Sequence, residues 1–232
     1  MDITKFTSYR DKIVKSCSKV IVGKDDAIEL VLTCFICSGH VLLEDVPGTG
    51  KTTAASLVAK YADMTFARLN ATTASLSDVK DVLASTENVF GSEGILLYLD
   101  EIQYFNKKQQ QSLLEFIENG SITLIASTTE NPHFFVYNAI LSRSSLFEFK
   151  PVAPEDCVKA IKRAVEHLNQ KTSLGRSMDD EVAFYIARST SGDVRHALVL
   201  AENAFFASDG IISKDVVDGF NVRVGNFDDD TH

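Results

Sequence analysis

A chain of 232 residues with 45% hydrophobic content has enough apolar material for one large domain, or for a medium one and a small one. Four prolines, twelve glycines and no apolar run near the length of a membrane span exclude a linker-rich or membrane-crossing chain, and Met1-Asp2-Ile3-Thr4-Lys5 is not an apolar signal region. A net charge of −9 excludes a surface that is a nucleic-acid footprint throughout; the basic start (Lys5, Arg10, Lys12, Lys15, Lys19, Lys24) and the acidic end (Asp228-Asp229-Asp230) are expected to be solvated segments. The expectation is a soluble, cytoplasmic protein, or one in the nucleoid or nucleus if it associates with DNA, with reduced cysteines.

Apolar positions spaced three and four apart predict an amphipathic helix over residues 3–17, followed by a short extended segment at 20–24. Asp25 and Asp26 can cap a helix over 27–38, and Gly39 ends it. Cys34 and Cys37 are expected on that helix as core cysteines, because a single C-x-x-C without a second Cys or His pair is weak evidence for metal. Strands are predicted at 40–44, 65–70, 95–99, 122–126 and 146–149, with helices at 54–61, 79–85, 107–118 and 138–141 between them. The run Ile95-Leu96-Leu97-Tyr98-Leu99 is what a strand buried on both faces of a parallel sheet looks like. After Lys150-Pro151 only helices are predicted, from 154–156 to 169, from 179–180 to 188, from 191–193 to 207, and from 213–215 to 220. The expected organisation is an α/β nucleotide-binding domain over 1–150 and a small all-helical domain over 151–232.

Between the first strand and its helix stands Val46-Pro47-Gly48-Thr49-Gly50-Lys51-Thr52-Thr53. Strand, glycine-rich turn, Lys-Thr and helix is the order of a phosphate-binding loop, and the pattern G-x-x-x-x-G-K-[ST] is met except for Asp45 at its first glycine. Glycines let successive N–H groups turn toward an anion, and the following helix aims its positive end at the same place. Lys51 then reaches the β- and γ-phosphates, and the Thr52 hydroxyl can coordinate Mg²⁺. The expected ligands are ATP and Mg²⁺, with Pro47, Gly48, Thr49, Gly50, Lys51, Thr52 and Thr53 at the phosphates.

About fifty residues further on, the apolar run ends in Asp100-Glu101. An aspartate at the C-terminal end of such a strand can hold Mg²⁺, usually through water, and Glu101 is placed to polarise an attacking water. Isolated His40 and His196 are expected to be hydrogen-bonded packing residues. The run Phe134-Phe135-Val136-Tyr137 is expected to pack as a loop or subunit contact rather than to stack bases.

Gly48-Thr49-Gly50-Lys51-Thr52, Asp100-Glu101, Thr128-Thr129, Ser142-Arg143 and Gly192-Asp193-Val194-Arg195 follow one another in the order of an AAA+ ATPase. Leu99-Asp100-Glu101-Ile102 with Phe105-Asn106-Lys107-Lys108-Gln109-Gln110, Ala126-Ser127-Thr128-Thr129-Glu130-Asn131-Pro132 and Asn138-Ala139-Ile140-Leu141-Ser142-Arg143 resemble the RarA/MgsA group, which includes the Werner-helicase-interacting protein. Arg68-Leu69-Asn70-Ala71 resembles the neighbouring clamp loaders. The first third, with Val20-Ile21-Val22-Gly23-Lys24 and the segment 39–48, resembles the MoxR group instead, where Asp45 is ordinary.

The resemblance implies a five-stranded parallel sheet of order 5-1-4-3-2 with a helical lid. It makes Thr129 the sensor that positions the water, Thr128 a strand-end hydrogen-bonder and Arg195 the lid residue that reaches the γ-phosphate. Arg143 becomes the finger acting on a neighbouring subunit's ATP, Asn70 a restraint on Glu101, and Val22 and Gly23 residues beside the adenine. From the residues alone, Arg143 reads as a surface helix-end residue and Arg195 as an ordinary ion-pair partner; the resemblance reverses both readings. The implied role is ATP-driven remodelling of DNA or of replication and recombination proteins, in self-assembled oligomers. Alternatives are a MoxR-like chaperone acting on a protein client, and a nucleotide-gated switch with little turnover.

Overall fold

The computed structural model describes residues 11, 14–16, 23–37, 39–45, 51–61, 64–86 and 94–221. Residues 14–16 are helical, while most of the predicted first helix, the segment 20–22 and the loop 46–50 lie outside the described residues. The chain divides into two compact units, Met1–Lys150 and Pro151–His232.

In the first unit, α1 (Asp25–Ile36), β1 (His40–Asp45), α2 (Lys51–Tyr61), β2 (Thr65–Asn70), α3 (Leu76–Thr86) and β3 (Ile95–Asp100) alternate along the chain. A 3₁₀ turn (Ile102–Tyr104) leads to α4 (Lys107–Glu118), β4 (Ile122–Thr128), α5 (Pro132–Phe135), α6 (Asn138–Leu141) and β5 (Ser144–Phe149). The five strands pair in parallel in the order β2-β3-β4-β1-β5, which is the expected 5-1-4-3-2 read from the other edge.

The two-residue period of the strands builds two cores. Val41, Leu43, Leu96, Tyr98 and Ile125 face α1 and α2; Leu42, Leu97, Leu99, Leu124 and Ala126 face α3, α4 and α6. Each fully buried Leu or Ile of this kind contributes about 1.5–3 kcal/mol of transfer free energy. The central strands are therefore apolar throughout, and their C-terminal ends emerge together on one edge. Strand β4 runs two residues past its predicted end because Ser127 and Thr128 are buried polar residues that the apolar pattern omits.

Helix α1 is not buried all round. Ile28, Val31 and Leu32 enter the core, but Leu30 is 52% exposed. Of the cysteine pair expected in the core, Cys37 is exposed at the helix end and Cys34 is half-buried, with its thiol donating to the His40 carbonyl at 3.5 Å. The three-residue spacing carries Cys37 just past the last residue of the helix, to its C-cap position. Cys157 is buried, and Cys17 lies outside the described residues.

Helix α4 spans its predicted range because Asn106 and Gln109 form a reciprocal cap at 3.0 and 2.9 Å. Its buried Gln110 donates to the carbonyls of Phe105 and Phe135 at 2.8 and 3.1 Å and accepts from the Tyr137 N–H at 2.7 Å. That one side chain ties the segment after β3 to the segment after β4. The run expected as a loop begins inside α5, a helix of four residues started by Asn131 and Pro132.

In the second unit, α7 (Pro154–Thr172), α8 (Asp180–Ser189), α9 (Val194–Ala207) and α10 (Lys214–Asn221) pack around Cys157, Ile161, Ile186, Ala201, Phe205 and Val217. The expectation of helices alone needs one correction. Strands β6 (Ser177–Met178) and β7 (Ile211–Ile212) form a short parallel pair. Two residues each give no periodicity to detect, and the pairing is set by tertiary contact: Asn169 accepts from the Arg176 N–H and donates to its carbonyl, both at 2.7 Å. Gly192 (φ +84°) makes the turn before α9, where a Cβ would come within 2.6 Å of Pro151 Cβ and 2.8 Å of Val152 N.

Candidate active site

The register places the candidate residues on the C-terminal edge of the sheet. Glu44 pairs with Thr128 and Leu99 with Ala126, so the end of β1, Asp100-Glu101 and Ser127-Thr128-Thr129 are neighbours. Open α/β sheets bind ligands at this edge. Strand β1 ends at Asp45 and α2 starts at Lys51, with Thr52 and Thr53 in its first turn. Pro47, Gly48, Thr49 and Gly50 lie outside the described residues, as does Val22.

Tyr98, fully buried on the α2 side of β3, links this helix to the acidic strand end. Its hydroxyl stands 3.2 Å from Asp100 Oδ1 and 3.1 Å from Ser127 Oγ, and it hydrogen-bonds with the Thr52 side chain. Burial pushes its phenol up to about 12, so it remains a neutral donor. Ser127 Oγ donates to Asp100 Oδ1 at 2.6 Å. The other carboxylate oxygen, Oδ2, receives Arg68 Nη2 at 3.3 Å. Thr52 and Asp100 thus approach one buried phenol from two sides. Both offer hard oxygen atoms, which fits Mg²⁺, a cation held by one or two protein oxygens with water and phosphate completing its shell.

Glu101 adopts the left-handed conformation (φ 57°, ψ 50°), which costs a non-glycine residue about 1–2 kcal/mol. Its N–H donates to Ser127 Oγ at 3.4 Å, so Ser127 engages both acidic residues. Its carboxylate Oε2 accepts from Thr129 Oγ1 at 3.1 Å and from Gln103 Nε2 at 2.6 Å. Asn70, the residue expected to restrain Glu101, has its Oδ1 engaged locally: it accepts from the Thr72 N–H at 2.9 Å and the Thr72 hydroxyl at 2.7 Å, closing the turn after β2. Thr128 hydrogen-bonds locally with the Glu130 backbone, at 3.1 and 3.2 Å.

Gly23 (φ 68°) lines a hollow of about 360 Å³ with Lys24, Asp25, Asp26, Glu148 and Lys150. Asp45 pairs with Phe149, so this hollow lies beside the end of β1. Buried Lys24 donates to the Lys150 carbonyl and stands 5.8 Å from the Phe149 ring centroid.

Arg143 belongs to the first unit and Arg195 to the second. Arg143 follows α6; its Nη1 donates to Ala139 O at 2.9 Å and its Nη2 pairs with Glu118 at 2.7 Å. Arg195 is exposed in the first turn of α9, behind Asp193, which caps the helix by accepting from the His196 N–H at 3.0 Å. A cation at the positive end of a helix adds nothing to that helix's stability. His196 is exposed, contrary to its expected packing role, because Val194 and Ala197 take the core-facing positions of this turn. His40 does pack by a hydrogen bond: its Nδ1 accepts from the Leu124 N–H at 3.1 Å.

Four residues around the acidic pair were not singled out as site residues from the sequence: Arg68, Tyr98, Gln103 and Ser127. Tyr98 is the one polar-tipped residue in an otherwise aliphatic strand, two positions before Asp100, and therefore on the same face as Asp100. That alternation was the available signal. Gln103 had none, since its approach depends on the left-handed turn at Glu101.

Residues 40–143 match the family described as ATPase family associated with various cellular activities (AAA). The chain carries an AAA+ ATPase domain. Over 169 residues it is 36% identical to the replication-associated recombination protein A of Escherichia coli (strain K12), covering 69% of this chain and 37% of that protein. With the protein of the same name from Coxiella burnetii (strain RSA 493 / Nine Mile phase I) it shares 32% over 192 residues, covering 77% of this chain and 43% of the relative. The chain thus spans less than half the length of these curated relatives. Its fold is also that of the Thermotoga maritima RuvB Holliday junction branch migration motor, with a TM-score of 0.69 at 22% identity over 85% of this chain and 68% of the motor. This AAA+ chain contains no described helix long and apolar enough to cross a membrane.

Proposed function

We propose that this chain is an ATP-hydrolysing module whose turnover remodels DNA or replication and recombination proteins. The observation that carries the hydrolytic part is the Glu101 carboxylate, held by the Thr129 hydroxyl at 3.1 Å one residue after Asp100, on the edge where α2 begins. In this reading the β- and γ-phosphates lie against residues 47–53, with the adenine at Val22 and Gly23. Thr52 and Asp100 would hold Mg²⁺, which when bound would supply charge neutralisation at the phosphates. Glu101 accepts a proton from water as the water oxygen bonds to the γ-phosphorus. The bond to the β,γ-bridging oxygen breaks, and its electron pair leaves with ADP. Thr129 orients the carboxylate. Arg195 and, from a neighbouring subunit, Arg143 supply positive charge to the γ-phosphate.

The DNA part rests on similarity to proteins named for replication-associated recombination. The test is steady-state ATPase activity alone, with single-stranded DNA, with forked DNA and with unfolded protein clients. Stimulation by DNA that weakens steeply with salt supports the proposal, because the −9 charge confines any DNA contact to a local basic face. Stimulation by protein clients alone would replace it with a chaperone.

A further inference from the structure

We propose that Gln103 is the positioning residue for Glu101, fixing which carboxylate oxygen faces the attacking water. The inference rests on the hydrolytic reading above and adds a residue and an atom assignment to it.

Gln103 Nε2 donates to Glu101 Oε2 at 2.6 Å and stands 3.3 Å from Thr129 Oγ1, while Thr129 Oγ1 donates to the same Oε2 at 3.1 Å. The three side chains form a closed triangle, and both of its donors to the carboxylate converge on one oxygen. Oε1 is engaged by neither, which makes it the oxygen that takes the proton from water. Charge-assisted donors of this kind are the strong ones. Two of them on Oε2 fix rotation about the last side-chain bond, where one alone leaves the carboxylate free to swivel.

The orientation of the Gln103 carboxamide follows from the same contact. Reversal would set its oxygen against Oε2 at 2.6 Å, acceptor against acceptor. The amide therefore donates to Glu101, although its own Oε1 is left buried without a hydrogen-bond partner among the described residues. A buried acceptor is costly to leave unpaired. A side chain serving only to fill space there would be satisfied more easily as an apolar residue.

The backbone makes the contact possible. Glu101 at φ 57° reverses the chain at the end of β3, and the next residue, Ile102, is fully buried and anchors the 3₁₀ turn. Gln103 is thereby carried back beside the residue two positions before it. The left-handed backbone of Glu101 acquires a use: without it the carboxamide would point away from the carboxylate.

The test uses the full chain with Gln103→Ala, Gln103→Glu and Glu101→Gln, each measured for kcat and KM from pH 5.5 to 9, for binding of a fluorescent ATP analogue and for thermal unfolding. Gln103→Ala should lower kcat about tenfold or more with nucleotide affinity kept within about twofold, since a small misplacement of a reacting group has effects of this order. Gln103→Glu sets a second carboxylate against Glu101. The pair then shares a proton, and the acidic limb of kcat should move up by about one pH unit or more. A purely structural residue would not move that limb. Wild-type kcat in Gln103→Ala with an unmoved acidic limb in Gln103→Glu, in a protein that Glu101→Gln inactivates, overturns the positioning role. Wild-type protein that binds the analogue but turns over no faster than Glu101→Gln overturns the hydrolytic reading itself, and this inference with it.

Discussion

Arg143 is paired within its own chain: Nη2 lies 2.7 Å from Glu118 Oε1, with the two side chains 42% and 49% exposed. An ion pair this open contributes about 0–1 kcal/mol, so it holds the guanidinium at the surface without locking it there. A finger that serves a neighbour's γ-phosphate is worth about 10³–10⁵ in rate, which easily outweighs the pair. Arg143→Ala should therefore lower turnover at least tenfold with ATP affinity nearly intact, and Glu118→Ala should change it only a few-fold. Specific activity should rise with protein concentration. Mixing Arg143→Ala with Lys51→Ala should restore part of the activity, because one supplies the intact phosphate loop and the other the intact arginine. A mixture that forms mixed oligomers and stays inactive contradicts the trans role.

Tyr98→Phe removes one hydroxyl from the cluster of Thr52, Ser127 and Asp100. Buried Ser127 and partly buried Asp100 then lose a neighbour, at a cost of about 1–3 kcal/mol in stability. The Mg²⁺ concentration for half-maximal turnover should rise several-fold. Because the phenol stays protonated up to about 12, the substitution should leave the pH profile between 6 and 9 unchanged. Magnesium titrations at several pH values, with thermal unfolding, check both statements.

His40 makes stability depend on pH. Burial lowers its pKa from 6.5, and its Nδ1 is an acceptor for Leu124 N–H, so the folded chain favours neutral imidazole. The unfolded chain takes up the proton first as pH falls. Stability from this site is thus fully present above about 6.5 and is lost as pH drops through the lower folded value. His40→Asn, which keeps an acceptor and does not titrate, should flatten urea-unfolding stability between pH 7 and 5. An unchanged slope would assign the dependence to other groups.

Gly192→Ala should destabilise the second unit by about 1–3 kcal/mol, for two reasons that add. Its φ of +84° is unfavourable with a Cβ, and that Cβ would fall 2.6 Å from Pro151 Cβ and 2.9 Å from Val152 O. Backbone atoms cannot yield as a side-chain tip can. Unfolding followed by the fluorescence of a probe in the second unit would show the loss, and wild-type stability there would refute the reading of this turn.

What was legible in the sequence depended on how local its cause was. The strands around Val41-Leu42-Leu43 and Ile95–Leu99 declare themselves because they are buried on both faces, and α4 does so because Asn106 and Gln109 cap it from within four residues. The acidic pair was legible as a motif. The hydrogen-bond partners of that pair were not: Ser127 reaches Asp100 across the β3–β4 pairing, Arg68 across β2–β3, and Gln103 through a backbone reversal. The bonds from the Thr72 N–H and hydroxyl to the Asn70 carboxamide oxygen were not legible either, because they depend on the turn after β2. The β6–β7 pair escaped notice because two residues carry no period.

The central claim is that Glu101 activates water in a site that binds ATP independently of it. The direct measurement is single-turnover hydrolysis of bound ATP by wild-type protein and by Glu101→Gln, with affinity measured calorimetrically on the same samples. The account predicts equal affinity and a rate lower by about a hundredfold or more, in line with general-base contributions of about 10²–10⁴. Equal rates at equal affinity would contradict it, and would place water activation on another residue.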